Sequence, residues 1–594
     1  MMLRRTFLLL LSLGLTGPLF AGTEIIRENH REVRNTGVQV EALFGTVAAK
    51  QGALPYRITI RNNTGEDRKW NVRLSEGGYG RMLVTQWSET ILVENGTELV
   101  REVSLPFGPN FLGYTYRNVD VSFISPGLNT ISRSTGYQVN DSFPTLAVSN
   151  KLATRSLASL DDTVSKKNSS NQRFGDSFDP QDLPGDWKSY TGLDALLIDF
   201  ESWKTLETRA RRALLEWVRL GGFLHVYYSS QAEFTLDDLG IEGLKTNAKQ
   251  KNRGRLTLGT VEAISWDGRE LDTNVIRRYE RIKSRSEYLD YDYRSGWELS
   301  RLLGDKPFNS ILVFGILLAF AILVAPVNLF YFAGKGRRHR LFFTTPIISI
   351  GACLLIVILI FLGDGLGGKG YRTALIDLQS SSSERRLFKT QEQFSRTGVI
   401  IDTGFESEQD LLIEPVQTPD SVYAAFNRSS GRSTNYNFKE SEFSGGFFRS
   451  RSEQGFFLRA VEPTRARIEL RTPSGDDSPP VLVSNLPSAV REFFYRDSNR
   501  QIWKSKEKTA TAPGDTIELI ASTDEELEEF VKSRSTRFSD SLTREIRRIE
   551  SETGRFFTFP DDAGPYLIET HTGIRWTDDE LLLTGTIDAP SSAP

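Results

Sequence analysis

The sequence predicts a multidomain α+β membrane protein. Its parts, in order, are a β-sandwich, an α/β domain with a parallel sheet, a two-helix transmembrane hairpin and a β-rich C-terminal domain with a helix. Three observations carry this reading. Residues 307–334 and 341–363 hold no charged side chain, and a short basic hinge separates them. Residues 35–130 alternate apolar and polar side chains between turns rich in Asn and Gly. Residues 195–228 read as strand, helix, strand, with strands that are apolar throughout.

The chain opens on "MMLRRTFLLLLSLGLTGPLFAG". Arg4 and Arg5 precede an apolar run, and Leu19-Phe20-Ala21 follows as a cleavage pattern ending in a small residue. That is the layout of a secretory signal peptide over residues 1–21. Residues 22–135 then read as an antiparallel sandwich. In "YRITIRNNTG", Tyr56, Ile58 and Ile60 alternate with Arg57, Thr59 and Arg61, and the run turns at Asn62-Asn63-Thr64-Gly65. "KWNVRLSEGG" repeats the pattern with Trp70, Val72 and Leu74. Alternation bounded by turn residues is the signature of a half-buried strand. Short strands at this spacing suggest an immunoglobulin-like arrangement.

The texture changes over residues 140–277. "PTLAVSN" is a short apolar strand, and the polar stretch 161–186 reads as a long loop. Leu196, Leu197 and Ile198 form a second strand. Leu206, Ala210, Ala213, Leu214 and Trp217 fall at helical spacing, Gly221-Gly222 stops the helix, and "FLHVYY" is the next strand. Strand, helix and strand with apolar strands make a parallel βαβ unit. "LLIDF", "ALLEWVRLGGFLHV" and "RGRLTLGTV" resemble the degenerate class I glutamine amidotransferase-like domain of certain bacterial membrane proteins. In those proteins a sandwich, this flavodoxin- or amidotransferase-like α/β domain and a hairpin with a Pro-x-Asn element share the order found here. The element is Pro326-Val327-Asn328, and the resemblance covers residues 35–345. It implies membrane partners, namely von Willebrand-type proteins and an AAA ATPase system.

Residues 278–306 are charged and aromatic, which suits a juxtamembrane connector. Residues 308–333 and 341–363 are each long enough to span a bilayer, which takes about 20 apolar residues. The hinge 334–340 carries Lys335, Arg337, Arg338 and Arg340. Lys and Arg in short loops mark the cytoplasmic side. Both hairpin ends, and with them residues 22–306 and 364–594, are therefore expected on the exported, periplasmic side of a bacterial inner membrane. The signal peptide points to the same face. Asn328 is the most polar side chain within the spans. It is expected to bond a neighbouring helix or the backbone freed by Pro326. Residues 364–520 again carry strand alternation. Residues 521–594 hold a helix candidate that begins "STDEELEEF", where Thr523 and Glu526 have capping-box spacing. Acidic residues gather at its start and Arg at its end, as the helix dipole favours. The end, "DAPSSAP", reads as a frayed tail.

Composition narrows the chemistry. The chain has 594 residues with 39% hydrophobic and 25% charged side chains and a net charge of −3, so large folded domains fit and nucleic-acid binding does not. Cys353, the single cysteine, lies inside the second span. That rules out an intramolecular disulfide and an exported thiol nucleophile, so amidotransferase chemistry is excluded. His225, the lone histidine of the α/β segment, sits within a strand and reads as packed. For an enzyme, the candidate groups are Asp199 and Glu201 at one strand end and Ser229 after the next, with Ser230 beside it. No Gly-x-Ser-x-Gly elbow supports the serines. "GDGLGGKG", from Gly363, lacks the Ser or Thr of a phosphate loop and follows a membrane helix, so it reads as a flexible linker. His30, His225, His339 and His571 are scattered, and Asp290-Tyr291-Asp292 lacks the spacing of a calcium loop. No metal and no cofactor are expected. The reading is a non-enzymatic envelope scaffold or accessory subunit in contact with the lipid bilayer. A periplasmic hydrolase or a small-ligand sensor using the α/β cleft is the alternative.

Overall fold

The computed structural model describes residues 23–588 except 46, 49–50, 79–82, 108–115, 141, 169–171, 230–233, 248–249, 283–296, 305–309, 333–337, 381–384, 417–433, 440, 473–478, 507–509 and 578. The signal-peptide segment, Ser230, Asp290, Asp292, Lys335, Arg337 and the tail after Asp588 lie outside the described residues. The chain is multidomain, rich in strands and divided into two compact units, residues 1–80 with 87–286 and residues 81–86 with 287–594.

Alternation builds the first half of unit one. Its strands are β1 (Thr23–Asn29), β2 (Gly37–Ala42), β3 (Val47–Ala48), β4 (Ala53–Asn62), β5 (Arg68–Gly78), β6 (Leu83–Val93), β7 (Thr97–Pro106), β8 (Tyr116–Ile124) and β9 (Ile131–Val139). One sheet runs β1-β2-β4-β7, and β6-β5-β8-β9-β3 run together in a second. Tyr56, Ile58, Ile60, Trp70, Val72 and Leu74 are all buried, as their period of two requires.

The second half is a largely parallel sheet. Its strands are β10 (Leu146–Ser149), β11 (Gly175–Phe178), β12 (Ala195–Asp199), β13 (Phe223–Ser229), β14 (Lys245–Asn247), β15 (Gln250–Leu256) and β16 (Gly259–Trp266), in the order β11-β10-β12-β13-β16-β15-β14. The first five are parallel, and β15 and β14 add antiparallel. Its helices are α1 (Asn150–Ala153), α2 (Leu157–Asn168), α3 (Phe200–Thr205), α4 (Thr208–Arg219) and α5 (Ile276–Tyr279). Ala210, Ala213, Leu214 and Trp217 form the buried stripe of α4, and Gly221 leaves the helix at φ +109°. Two expectations are corrected here. The stretch 161–186 holds the end of α2 and strand β11. Its few apolar side chains, Val164, Phe174, Phe178 and Leu183, are all buried. The first residues of the expected connector belong to the α/β core, where Tyr279 is fully buried.

The two halves of unit one pack together. Val47 N–H donates to Asp176 Oδ2 at 2.9 Å and Ala53 N–H to Thr191 Oγ1 at 3.0 Å. Phe44 sits 5.9 Å from Phe178 and 5.5 Å from Tyr190 between ring centroids. Gly52, at φ +103°, brings its backbone so close that a Cβ would lie 2.1 Å from the Thr191 carbonyl oxygen.

Unit two begins with α6 (Glu298–Leu303) and two apolar helices. Helix α7 (Ser310–Ile322) widens into a π-helical stretch, Leu323–Phe332, around Pro326, and α8 covers Leu341–Asp364. Proline removes a backbone donor, and a wider helical turn is one way to accommodate the loss. Both helices are long and apolar enough to cross a membrane and are almost unburied.

The rest of unit two is β-rich: β17 (Gly368–Ser380), β18 (Arg385–Thr397), β19 (Phe405–Glu406), β20 (Leu411–Val416), β21 (Thr434–Lys439), β22 (Glu442–Gly445), β23 (Glu453–Pro463), β24 (Arg467–Thr472), β25 (Val481–Asn485), β26 (Val490–Arg496), β27 (Ile502–Ser505), β28 (Thr516–Ile517), β29 (Leu519–Ser522), β30 (Arg555–Pro560), β31 (Ile574–Trp576) and β32 (Glu580–Thr586). The main sheet runs β20-β23-β18-β17-β32-β30-β26-β27-β29, with β31 also on β17. The helix expected near residue 523 is two helices, α9 (Asp524–Ser533) and α10 (Asp540–Glu550), each with its own cap, Thr523 and Ser539. Beyond them the chain returns to the main sheet. β30 and β32 lie inside the sheet, and β32 runs parallel to β17.

A buried ion pair ties these late strands to β17. Arg555 meets Asp377 at 2.6 Å and Glu552 at 3.0 Å, and the Arg555 and Asp377 side chains are each 3% exposed. Removing Asp377 leaves the buried Arg555 guanidinium with Glu552 as its remaining counter-charge and takes away a charged hydrogen bond, at a cost of about 1–3 kcal/mol. Asp377→Ala should lower the unfolding free energy of the full chain in detergent by that amount. A loss below about 1 kcal/mol would show that water replaces the carboxylate.

Candidate functional site

In an open α/β sheet, ligands bind beyond the carboxyl ends of the strands where the strand order reverses. Here that point lies between β10 and β12, since β11 adds on one side of β10 and β12 on the other. Ser149 ends β10 and Asp199 ends β12, and the two side chains meet. Ser149 Oγ donates to Asp199 Oδ2 at 3.1 Å, and Lys151 Nζ reaches Asp199 Oδ1 at 3.0 Å. Asp199 also caps α3, accepting from Ser202 N–H at 3.0 Å. Burial pushes its carboxyl up, but the bonds from Ser202 and Lys151 outweigh this and hold it below the usual carboxylate range. Lys151 is the half-exposed member of the group, with its side chain 50% exposed.

The other candidates lie apart from this cluster. Glu201 pairs with Lys204 at 2.9 Å on the surface of α3, one turn along, with side chains 67% and 49% exposed. Such a pair contributes little. Ser229 is exposed at the end of β13. Asp199 is level with Tyr227 in the ladder, so Ser229 stands two residues further on, about 7 Å along the strand. His225 is four residues from Ser229 on the same strand, about 13 Å. It is therefore out of reach as a base for that hydroxyl. Its Nδ1 instead meets Tyr279 Oη at 2.9 Å, and Tyr279 Oη meets Tyr227 Oη at 2.8 Å. Burial, aided by the charges of Arg278 and Arg253, pushes the imidazole pKa down to about 3. Burial likewise raises Tyr227 to about 12. The three side chains form a neutral hydrogen-bonded network inside the core.

A patch of aromatic rings borders the same edge. Tyr228 and Phe234 stack at 4.3 Å, Phe200 meets Phe234 edge-on at 5.0 Å, and Lys204 lies over Phe200 at 4.8 Å. All three rings are partly exposed. In unit two, Asn328 is buried between the apolar helices. Its amide nitrogen donates to Thr345 Oγ1 at 2.8 Å, and Thr344 Oγ1 donates to its carbonyl at 2.6 Å. It bonds the neighbouring helix, one of the two outcomes expected of it. Arg340 is exposed at the hinge end, and Arg338 opens the short helical turn there. Cys353 is exposed on α8. Among the described residues no three His, Cys, Asp or Glu side chains converge as a metal site.

Sequence reasoning found Asp199 but not its partners. Ser149 was legible as the last residue of an apolar strand. Nothing in the sequence pairs Lys151 with a residue 48 positions away.

No family model matches the chain, and no curated protein is significantly similar to it. Among solved structures, a calcium-binding mutant of Bacteroides uniformis beta-glucuronidase 2 is 10% identical, with a TM-score of 0.15, over 34% of this chain and 24% of that one. A Paenibacillus cycloisomaltooligosaccharide glucanotransferase is 12% identical with a TM-score of 0.16, over 34% and 28% of the two chains. The exo-chitosanase CsxA of Amycolatopsis orientalis is 9% identical with a TM-score of 0.15, over 93% and 78%. The match thus spans about a quarter of the first two enzymes, and likeness at this level says nothing about activity.

Two outcomes follow from this geometry. Asp199→Ala removes a helix cap and the acceptor of Ser149, and should cost about 2 kcal/mol of stability. Asp199→Asn keeps an acceptor and should cost less. Equal losses in thermal unfolding would show that the charge, not the hydrogen bonds, matters. The second outcome concerns pH. His225 stays neutral in the fold but titrates near 6.5 when unfolded, so acidification loads protons onto the unfolded chain alone. Between pH 7 and pH 5 the protein should lose about 2 kcal/mol more than His225→Gln. Parallel pH curves for the two proteins would contradict the assignment.

Proposed function

We propose that the chain is a non-enzymatic protein of the bacterial inner membrane. Its large domains stand on the periplasmic side as interaction modules, and it serves as scaffold or accessory subunit of an envelope complex. One observation carries this reading. At the edge where an α/β fold does chemistry, the acid is occupied as cap and ion-pair partner, and the only histidine of that domain is about 13 Å from the exposed serine. The two-sheet first half of unit one suits an immunoglobulin-like module. The parallel sheet without a thiol suits a degenerate amidotransferase-like module. The basic hinge residues Lys335, Arg337, Arg338 and Arg340 support a hairpin turn in the cytoplasm with both large units outside. Partners within the membrane, of the von Willebrand type and with an AAA ATPase system, fit such a scaffold.

A small-ligand sensor is the second reading. The half-exposed Lys151 beside Ser149 and Asp199, next to the rings of Phe200, Tyr228 and Phe234, favours it.

The deciding experiment is purification of the tagged full chain from its native membrane in mild detergent, followed by mass spectrometry. A reproducible set of membrane partners is the expected result. A chain that comes out alone and shows hydrolysis lost in Ser229→Ala would overturn the proposal. Orientation has its own check in a Cys353→Ser background. With intact spheroplasts, Ser380→Cys should react with a membrane-impermeant thiol reagent and Gly336→Cys should not. The opposite pattern would invert the topology.

A further inference from the structure

The apolar helix α8 ends at Asp364, and the chain turns at once into β17. This turn is not the flexible linker that its glycines suggested. Gly365 N–H still bonds Phe361 O at 3.1 Å. Gly367 N–H donates to Val399 O at 3.0 Å, Val399 N–H to Gly365 O at 2.9 Å, and Gly398 N–H to Gly367 O at 2.6 Å. Leu366 and Val399 form a bridge. The loop after β18 is thereby fixed beside the point where the helix ends.

That loop is also held from its other side. Ile400 N–H donates to Ser450 Oγ at 2.9 Å, and Ser450 Oγ donates back to Ile400 O at 2.6 Å. The Asp402 carbonyl meets His571 Nε2 at 2.7 Å, and Arg451 N–H bonds Gly398 O at 2.8 Å. Within this rigid frame two apolar side chains point outward. Ile401 is 94% exposed, more than any other large apolar side chain among the described residues, and Leu366 is 74% exposed. Ile400 next door is 8% exposed. The loop thus presents one isoleucine to the core and the next one outward. Lys369 and Arg575, cross-strand partners at the start of β17 and β31, are exposed nearby in sequence and register.

We propose that Leu366 and Ile401 dip into the lipid interface of the leaflet that α8 leaves, so that this corner of unit two rests on the membrane. The inference rests on the reading of α8 as a membrane span. Leu366 is two residues past the end of that helix, so the chain itself keeps it within about 7 Å of the boundary. The hydrogen bonds to Val399 bring Ile401 to the same level. An apolar side chain gains by leaving water for the acyl boundary, and a rigid loop gives up little entropy in holding it there. Lys369 and Arg575 suit the headgroup layer, where long basic side chains extend toward phosphate.

The test uses the full chain in phosphatidylcholine vesicles, with a nitroxide label at one cysteine at a time. Collision with oxygen is compared with collision with a water-soluble nickel chelate. Native Cys353 reports whether α8 spans. Ile401→Cys and Asn499→Cys are read in a Cys353→Ser background, and Ile401 is so exposed that its replacement leaves the fold intact. The expected result is a deep Cys353 label, an Ile401→Cys label several-fold more accessible to oxygen than to nickel relative to Asn499→Cys, and a fully aqueous Asn499→Cys label. An Ile401→Cys label as aqueous as that at Asn499, with Cys353 still deep, would overturn the inference alone. A nickel-accessible label at Cys353 would overturn the span and the inference together.

Discussion

Unit two depends on one constraint: the segment that ends at Gly304, before the apolar hairpin, and the turn that follows the hairpin are both fastened to the same end of the β17–β18 ladder. On the entry side, Arg396 of β18 donates to Leu303 O at 3.1 Å and also to Gly304 O, while its guanidinium pairs with Glu453. Trp297, just before α6, packs on Phe394 at 5.5 Å and fills the space that Gly455 leaves. On the exit side the turn after α8 bonds to Val399 and Gly398. A helix pair free to swing would carry no orientation to the domain above it. The backbone bonds at the exit turn tie the end of α8 directly to the sheet. The hairpin itself is closed by Asn328 and the two threonines opposite. Polar contacts of this kind matter where hydrophobicity gives two apolar helices no reason to prefer each other over lipid.

Unit one obeys a different constraint. Its parallel sheet must end somewhere, and its carboxyl edge spends its polar groups on structure. Asp199 serves a cap, a hydroxyl and an ammonium at once. A carboxylate held below its usual range by Ser202 and Lys151 is a poor proton acceptor at neutral pH, since general bases work best with pKa values near the operating pH. His225 is tuned the other way, kept neutral by burial and tied to two tyrosines. Asp199 and His225 are both held by bonds within the domain, while Glu201 and Ser229 stand on its surface. Among the described residues, Lys151, Ser229 and the partly exposed rings of Phe200, Tyr228 and Phe234 are accessible at this edge.

Much of this was legible residue by residue. The period-two runs at Tyr56–Ile60 and Trp70–Leu74 marked buried faces because a strand turns each second side chain inward. The helical stripe from Ala210 to Trp217 and its glycine stop stood out for the same geometric reason. The cap at Thr523 was legible because its partner lies three residues away. Misreadings arose where local composition and tertiary demand diverge. Residues 161–186 look like a loop because their polar residues outnumber Val164, Phe174, Phe178 and Leu183, yet all four are buried, and the first three seat α2 and β11 on the core. The glycines after Asp364 look like a flexible linker, but Gly365 and Gly367 hold positive φ in a turn fixed by backbone bonds.

The sequence by itself determined the periodicities, the apolar hairpin with its basic hinge, and the single cysteine placed in the second apolar helix. Each is a local property, set by spacing or composition within a few turns of chain. Only the tertiary structure decided which distant pieces complete one another. β17 takes β32 as its parallel neighbour more than 200 residues away, Arg555 finds Asp377 across 178 residues, and Asp199 finds Ser149 and Lys151. Strand pairing and buried charge pairs are settled by complementarity between segments brought together in the core. No window of neighbouring residues carries that information, so these partners become visible only in the folded chain.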